Sequence, residues 1–316
     1  MAKAVANDRF ATGKNPREYT PELQIELERE TRGYWASALY SLRRDKLTLA
    51  AIGMLSVLVI LCFPLAGPIT RALGVDPNKT NVSIHFQGPS SEHLLGVDHM
   101  GRDQLARLLY GGRVSLGVAL VAALIVMSLG ILIGTVAGYY GGVVDDVVVW
   151  FINTMISIPF ILLLLIVSLL FKPNAATLTV FIGLMTWMGV SRIVRGQILQ
   201  AKQMEYVIAA KALGVRTNRM VMRHLLPNVI PVVIIFAAEI TGDVILIESA
   251  LSFLGLGIQP PTATWGNMLT KAQSYFFLGT HLVIWPGLFI TLTVLCLYII
   301  GDGLRDALDP MMRGQR

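Results

Sequence analysis

Four stretches of this chain, 47–65, 114–139, 147–171 and 282–301, contain no Asp, Glu, Lys or Arg. Two more, 177–194 and 228–247, carry only Arg192 and the pair Glu239 and Asp243. A bilayer core about 30 Å thick is crossed by roughly 20 apolar residues in a helix. Inside lipid the backbone finds no water, so such stretches cross as helices that satisfy their own N–H and C=O groups. The pattern predicts an all-α membrane protein with six transmembrane helices. Charged residues make up 15% of the chain, against about 25% in soluble domains.

Lys and Arg set the orientation. Nine lie in 1–46, seven run from Arg192 to Arg223, and three follow position 301, whereas the turn between the second and third stretches has none. Basic residues are retained on the cytoplasmic side. Both termini are therefore expected in the cytoplasm. The division is a cytoplasmic N-terminal tail 1–46, a six-helix membrane domain 47–301 and a cytoplasmic C-terminal tail 302–316. Within the domain, 66–113 is an external loop and 202–227 a cytoplasmic segment. The net charge of +6 follows from this topology, and no nucleic-acid partner is expected; the partner of the apolar surface is membrane lipid.

The tail opens a helix at Thr20, as N-cap, and Pro21, with Gly33 ending it. Trp35, Leu39 and Leu42 then share one face of a short amphipathic helix on the inner membrane surface, closed by Arg43, Arg44 and Lys46. A polar segment of 46 residues precedes the first apolar run, so no signal peptide is expected. Pro64 and Pro68 end the first span. Cys62 and Cys296 sit inside apolar runs and read as small packing residues. Gly130, Gly134 and Gly138 place a small residue every fourth position of the second span, so another helix can approach closely. Pro159 and Pro231 are candidate kinks in the third and fifth spans.

The most informative stretch is 205–228, EYVIAAKALGVRTNRMVMRHLLPN. It is too polar to cross a membrane and too rich in helix formers for a loop. Ala209, Ala210, Ala212 and Leu213 favour a helix that Gly214 caps. Thr217 caps a second helix, which Pro227 ends. Two short helices at a sharp angle would fit a partner's groove. Equally, they would serve as an ordinary cytoplasmic cover over the ends of the spans.

This stretch resembles the cytoplasmic signature of ABC importer permeases, E-A-A, three residues, G, nine residues, I-x-L-P. Ala209-Ala210, Gly214 and Leu226-Pro227 stand at the family spacing, while Ile208 replaces the glutamate and His224 the isoleucine. Three further matches point to the dipeptide and oligopeptide branch. Residues 95–103, LGVDHMGRD, resemble LGTDxxGRD with Val97 for threonine, and lead into Arg107, Tyr110, Gly111, Arg113 and Ser115. Glu248-Ser249 and 251–257 precede Pro260-Pro261 and Trp265-Gly266. The ending 301–310 reads GDGLRDALDP. The resemblance covers roughly 35–316 and points to the second permease subunit.

The resemblance implies a type I ABC importer permease fold and a place in the inner (plasma) membrane of a bacterium or archaeon. It implies a homologous permease partner in a heterodimer, two cytoplasmic ATPase subunits and an extracytoplasmic peptide-binding protein. The chain has no G-x-x-x-x-G-K-[ST] phosphate loop. ATP and Mg are thus expected on the ATPase subunits, with no cofactor on this chain, which is not expected to be an enzyme. The resemblance makes Glu205, Tyr206, Ala209, Ala210, Ala212, Leu213, Gly214, Arg223, Leu226 and Pro227 the ATPase-coupling residues.

Glu239 and Asp243 are four apart, hence on one helix face. An acid near mid-membrane costs about 2.5–3.5 kcal/mol, so this face lines a passage and meets a substrate ammonium, bonds the other permease, or holds a protonated carboxyl. Glu248, at the outer end of the span and on the opposite face, is a candidate for shaping an outer gate. Asp98, Gly101, Arg102 and Asp103 form the external motif. They read as a salt-bridged turn and helix cap, or as part of a surface that receives the binding protein. A channel would need a filter-like motif, and a membrane enzyme would need paired acids or metal-spaced histidines. His85, His93, His99, His224 and His281 are scattered, and an i,i+4 acid pair is weak support for catalysis.

Overall fold

A computed structural model describes residues 34–171 and 174–308. The readings of Thr20, Pro21 and Gly33, the Trp35 side chain and Asp309-Pro310 lie outside the described residues. The chain runs through α1 (Tyr34–Arg44), α2 (Lys46–Cys62), α3 (Ala66–Leu73), α4 (Gln104–Tyr140), α5 (Gly142–Ile156), α6 (Phe160–Phe171) and α7 (Ala175–Ala201). It continues through α8 (Glu205–Ala212), α9 (Thr217–Met220), α10 (Leu226–Phe253), α11 (Trp265–Met268), α12 (Ala272–Tyr275) and α13 (His281–Leu308). Among the described residues four helices are long and apolar enough to cross a membrane, and six if each of two bent pairs is one span. The fold is all-α, as the apolar runs predict; the described β-structure is one isolated bridge, Val97 with Asp103.

The spans differ from the apolar runs at their ends. The second begins ten residues early, at Gln104, because Asp103 is a true N-cap whose carboxylate accepts from the Ala106 amide at 2.7 Å. The loop expected to be external is accordingly shorter than 66–113 and contains α3, with Pro68 in its first turn rather than ending a span. The sixth span runs to Leu308, so 302–308 is helix and not tail. The third is not one kinked helix: α5 and α6 meet at 77° across Ser157, Ile158 and Pro159. Pro159 removes a donor and pushes the residue before it out of the helical region. Pro231, by contrast, lies inside an unbroken α10.

Helices α4 and α7 make the most extensive pairing, followed by α10 with α13 and with α4. The glycine stripe explains the first. A Cβ on Gly130 would stand 2.6 Å from Val190 Cγ1, one on Gly134 2.5 Å from the Ser191 carbonyl oxygen, and one on Gly138 2.9 Å from Ile198 Cβ. The four-residue spacing thus predicts a real contact, with α7 as its partner. Helix α1 turns 87° from α2 and packs on α13, where Ala38 joins Ile235, Ala307 and Leu308. Leu39 on the same helix is exposed.

Candidate functional site

The 202–227 segment folds as a helix, a glycine turn and a helix. Gly214 adopts φ +73°, a left-handed conformation that most side chains avoid. The Val215 amide donates to the Ala210 carbonyl and the Gly214 amide to that of Lys211, a Schellman closure of α8. Thr217 is not the cap of the next helix: Arg216 holds the extended cap position, and the Thr217 hydroxyl accepts from Tyr139 Oη at 3.2 Å. Nor does Pro227 end that helix. A π-turn, Val221–Leu225, joins α9 to α10, and the Leu226 amide donates to the Val221 carbonyl. The wider turn absorbs a proline that has no N–H to give and crowds the preceding turn. From Thr217 to Phe253 the chain is one continuous rod, about 55 Å long at 1.5 Å per residue.

One face of this segment is anchored. Val207, Ala210, Met220 and Leu225 are buried with Val194, Ile198 and Ala201 of α7. Tyr206 Oη accepts from Asn228 Nδ2 at 2.8 Å, and Lys202 Nζ donates to the Gly138 and Tyr139 carbonyls that end α4. The other face is free: Ile208, Leu213 and Met222 are exposed, Leu213 by 84%. Glu205, Ala209, Ala212 and Arg223 are exposed as well, whereas Ala210 is buried within the chain and offers no surface to a partner.

The 98–103 motif is an ion-paired turn. Asp98 accepts from the Met100 and Arg102 amides at 2.8 and 3.0 Å and from Arg102 Nε at 2.7 Å. Asp103 pairs with His93 at 2.8 Å while capping α4. Gly101, at φ +72°, has no room for a side chain, since a Cβ would stand 1.7 Å from the Asn81 carbonyl oxygen. Gly101→Ala is expected to displace the 81–103 loop and lower stability by about 2 kcal/mol or more, measured by thermal unfolding of the purified protein. Asp98, Arg102 and Asp103 are all buried, so none presents a docking surface.

The acids of α10 are committed within the chain. Glu239 accepts from Arg305 at 2.9 Å and lies against Gly301, in the last turns of α13 rather than opposite its middle. Asp243 accepts from Tyr298 Oη at 2.6 Å. Among the described residues Asp243 is also the single charged one lining a cleft of about 360 Å³ between the α5–α6 break, α7 and α10. Glu248 is fully buried. It accepts from Ser115 Oγ of α4 at 3.1 Å and Ser252 Oγ at 2.8 Å; Ser115 Oγ in turn accepts from the Trp265 amide at 3.1 Å. The Phe253 end of α10 is thereby tied to α4 and α11. Glu248→Ala leaves two buried hydroxyls without their acceptor and a cavity, and is expected to cost about 3 kcal/mol. Glu248→Gln keeps an acceptor oxygen and costs less. Melting temperatures of the two variants check this order.

Residues 130–314 match the family described as binding-protein-dependent transport system inner membrane component. The chain is 36% identical over 288 residues to a dipeptide transport system permease protein of Bacillus subtilis, covering 91% of this chain and 89% of that one. It is 38% identical to an oligopeptide transport system permease protein of Escherichia coli, over 91% and 94% of the two chains. A glutathione transport system permease protein of Pectobacterium atrosepticum is 38% identical, over 72% and 75%.

The chain belongs to this family.

It is a multi-pass membrane component of a transport system, and the four motifs now have physical roles within that component. Gly111 and Gly112 let α4 close on the 264–265 segment and on Cys62, and Arg113 donates to the Cys62 and Phe63 carbonyls that end α2. Gly303 lets α13 close on Thr48 of α2. Sequence reasoning missed Arg305, Tyr298 and Ser115 as partners of the three acids. Their separations of 66, 55 and 133 residues carry no local signal.

Proposed function

We propose that this chain is one half of the translocation path of an ATP-driven importer of di- and oligopeptides. It pairs with a homologous permease in a heterodimer, docks through 205–227 into one of two cytoplasmic ATPase subunits that hold ATP and Mg, and receives peptide from an extracytoplasmic binding protein. The observation that carries this reading is the free apolar ledge of Ile208, Leu213 and Met222 on an anchored helix-turn-helix. Exposed apolar side chains on a rigid polar-flanked element mark a protein interface. The relatives' names support the peptide class and a bacterial or archaeal inner membrane, and the excess of Lys and Arg on one side supports a cytoplasmic ledge and cytoplasmic termini.

Movement of the ATPases would press on α8. Through Tyr206 and Asn228 the push enters the start of α10, and a stiff rod carries it to Glu248, where α4 and α11 are attached. Asp243, alone among apolar walls, would face the peptide ammonium. The test is co-purification and reconstitution of this chain with the partner permease, ATPases and binding protein. Peptide-loaded binding protein should raise ATP hydrolysis several-fold and drive peptide uptake. A stable assembly in which ATPase subunits make no contact with 205–222 overturns the proposal.

A further inference from the structure

A second cavity, of about 220 Å³, opens on the side of the external turn. Its wall comes from Asp98 to Arg107, the corner after α10, and the α11–α12 region. The charges in this wall do not balance. Among the described residues Asp98 is its one carboxylate, against Arg102, Arg107 and Lys271. Both arginines are at least 95% buried. They share a single Asp98 oxygen, at 2.7 Å from Arg102 Nη2 and 3.5 Å from Arg107 Nε. Arg107 Nη1 also donates to the neutral Pro77 carbonyl at 3.2 Å. Burial, and then the nearby Arg102, Arg107 and Lys271 working against Asp98, hold the His99 imidazole below its ordinary proton affinity. A buried guanidinium without a counter-charge is costly.

A second deficit lies in the same wall. Gln104 lines the cavity, is 2% exposed, and its amide Nε2 has no hydrogen-bond partner. A buried donor left unpaired costs about 1–3 kcal/mol. One kind of ligand removes both deficits: a small anion with acceptor oxygens. A planar carboxylate suits the forked geometry of guanidinium groups. The volume is many times the roughly 10–15 Å³ that one water needs, which is room for a carboxylate and the small residue that bears it. The recessed arginines suit a free chain end better than an acid fixed on a docking protein's surface.

We propose that this cavity binds carboxylate, and that it takes the C-terminal carboxylate of a peptide on the external side of the protein. The carboxylate class rests on the cavity, and the peptide rests on the importer reading above. The test uses the assembled transporter in nanodiscs without binding protein, titrated with Ala-Ala, Ala-Ala amide and acetate. Ala-Ala should bind saturably, acetate should compete, and the amide should bind at least about tenfold more weakly, since it lacks the charge-assisted bonds. Gln104→Leu and the exposed Lys271→Gln should each weaken Ala-Ala binding about fivefold without lowering the melting temperature. Equal binding of Ala-Ala and its amide overturns the proposal. So does loss of binding-protein capture in Lys271→Gln with Ala-Ala binding unchanged, which would assign the cations to a protein acid. Peptide uptake by the complete wild-type transporter is measured alongside. Uptake without carboxylate-dependent binding sinks the site alone. Acetate binding weakened by both variants, in a transporter that imports no peptide, keeps the site and sinks the peptide reading.

Discussion

Replacing Ile208 and Leu213 together by aspartate is expected to reduce peptide uptake by the assembled transporter to background while the permease stays folded. Both side chains are exposed in the isolated chain, Leu213 by 84% and Ile208 by 55%. Their removal therefore costs the monomer little; surface changes usually fall within about 0.5 kcal/mol. At an interface they would be desolvated, and a buried apolar anchor there is worth about 2–4 kcal/mol. Two carboxylates forced into the same contact add an unpaired charge. Together these terms lower affinity for the ATPase by about three orders of magnitude. Co-purification of the ATPase and peptide-stimulated hydrolysis report the loss, and an unchanged melting temperature separates it from misfolding. Full activity in the double variant would remove the ledge from the mechanism. The anchored residues Val207 and Ala210 make a poor substitute test, because changes there disturb the α7 packing directly.

The second large effect is expected inside the membrane. Gly134→Leu should abolish the close pairing of α4 with α7. Already a Cβ at this position would meet the Ser191 carbonyl oxygen at 2.5 Å and the Arg195 amide nitrogen at 3.1 Å. These are backbone atoms of a helix, so no rotamer change relieves the clash, and the helices must separate. Small residues at such crossings are what allow van der Waals contact where lipid gives no hydrophobic drive for association. Overpacking typically costs 1–3 kcal/mol when side chains can yield; here about 4 kcal/mol or more is expected. Gly117→Leu on the same helix is the control, since a Cβ there meets nothing within 4 Å. Yield of folded protein and melting temperature are the measurements. Equal stability of the two variants would contradict the crossing described here.

The two variants mark different levels of legibility. The glycine stripe announced a helix crossing through its spacing, because a four-residue repeat puts small residues on one face of any helix. It could not name the partner, α7, which follows α4 in the chain only after the bent α5–α6 pair. The 202–227 segment was legible as helix, glycine turn and helix. Its division into an anchored face and a free face was not. Ala210 and Ala209 are neighbours of the same residue type, yet one is buried and the other exposed.

Span ends were read least well, for a definite reason. Hydropathy locates where a helix enters lipid, whereas Asp103, Gly214 and the π-turn at Val221–Leu225 locate where a helix starts and stops. Caps and turns obey hydrogen-bond geometry, so the rods overrun the apolar runs. That the chain is all helix, with several runs apolar enough to cross a bilayer, was thus written in the order of residues, because crossing a bilayer is a demand that each helix meets alone. The pairing of Glu239 with Arg305, Asp243 with Tyr298 and Glu248 with Ser115 was not. Those contacts depend on how separate helices rotate and slide against one another, and that register exists only once the bundle has packed.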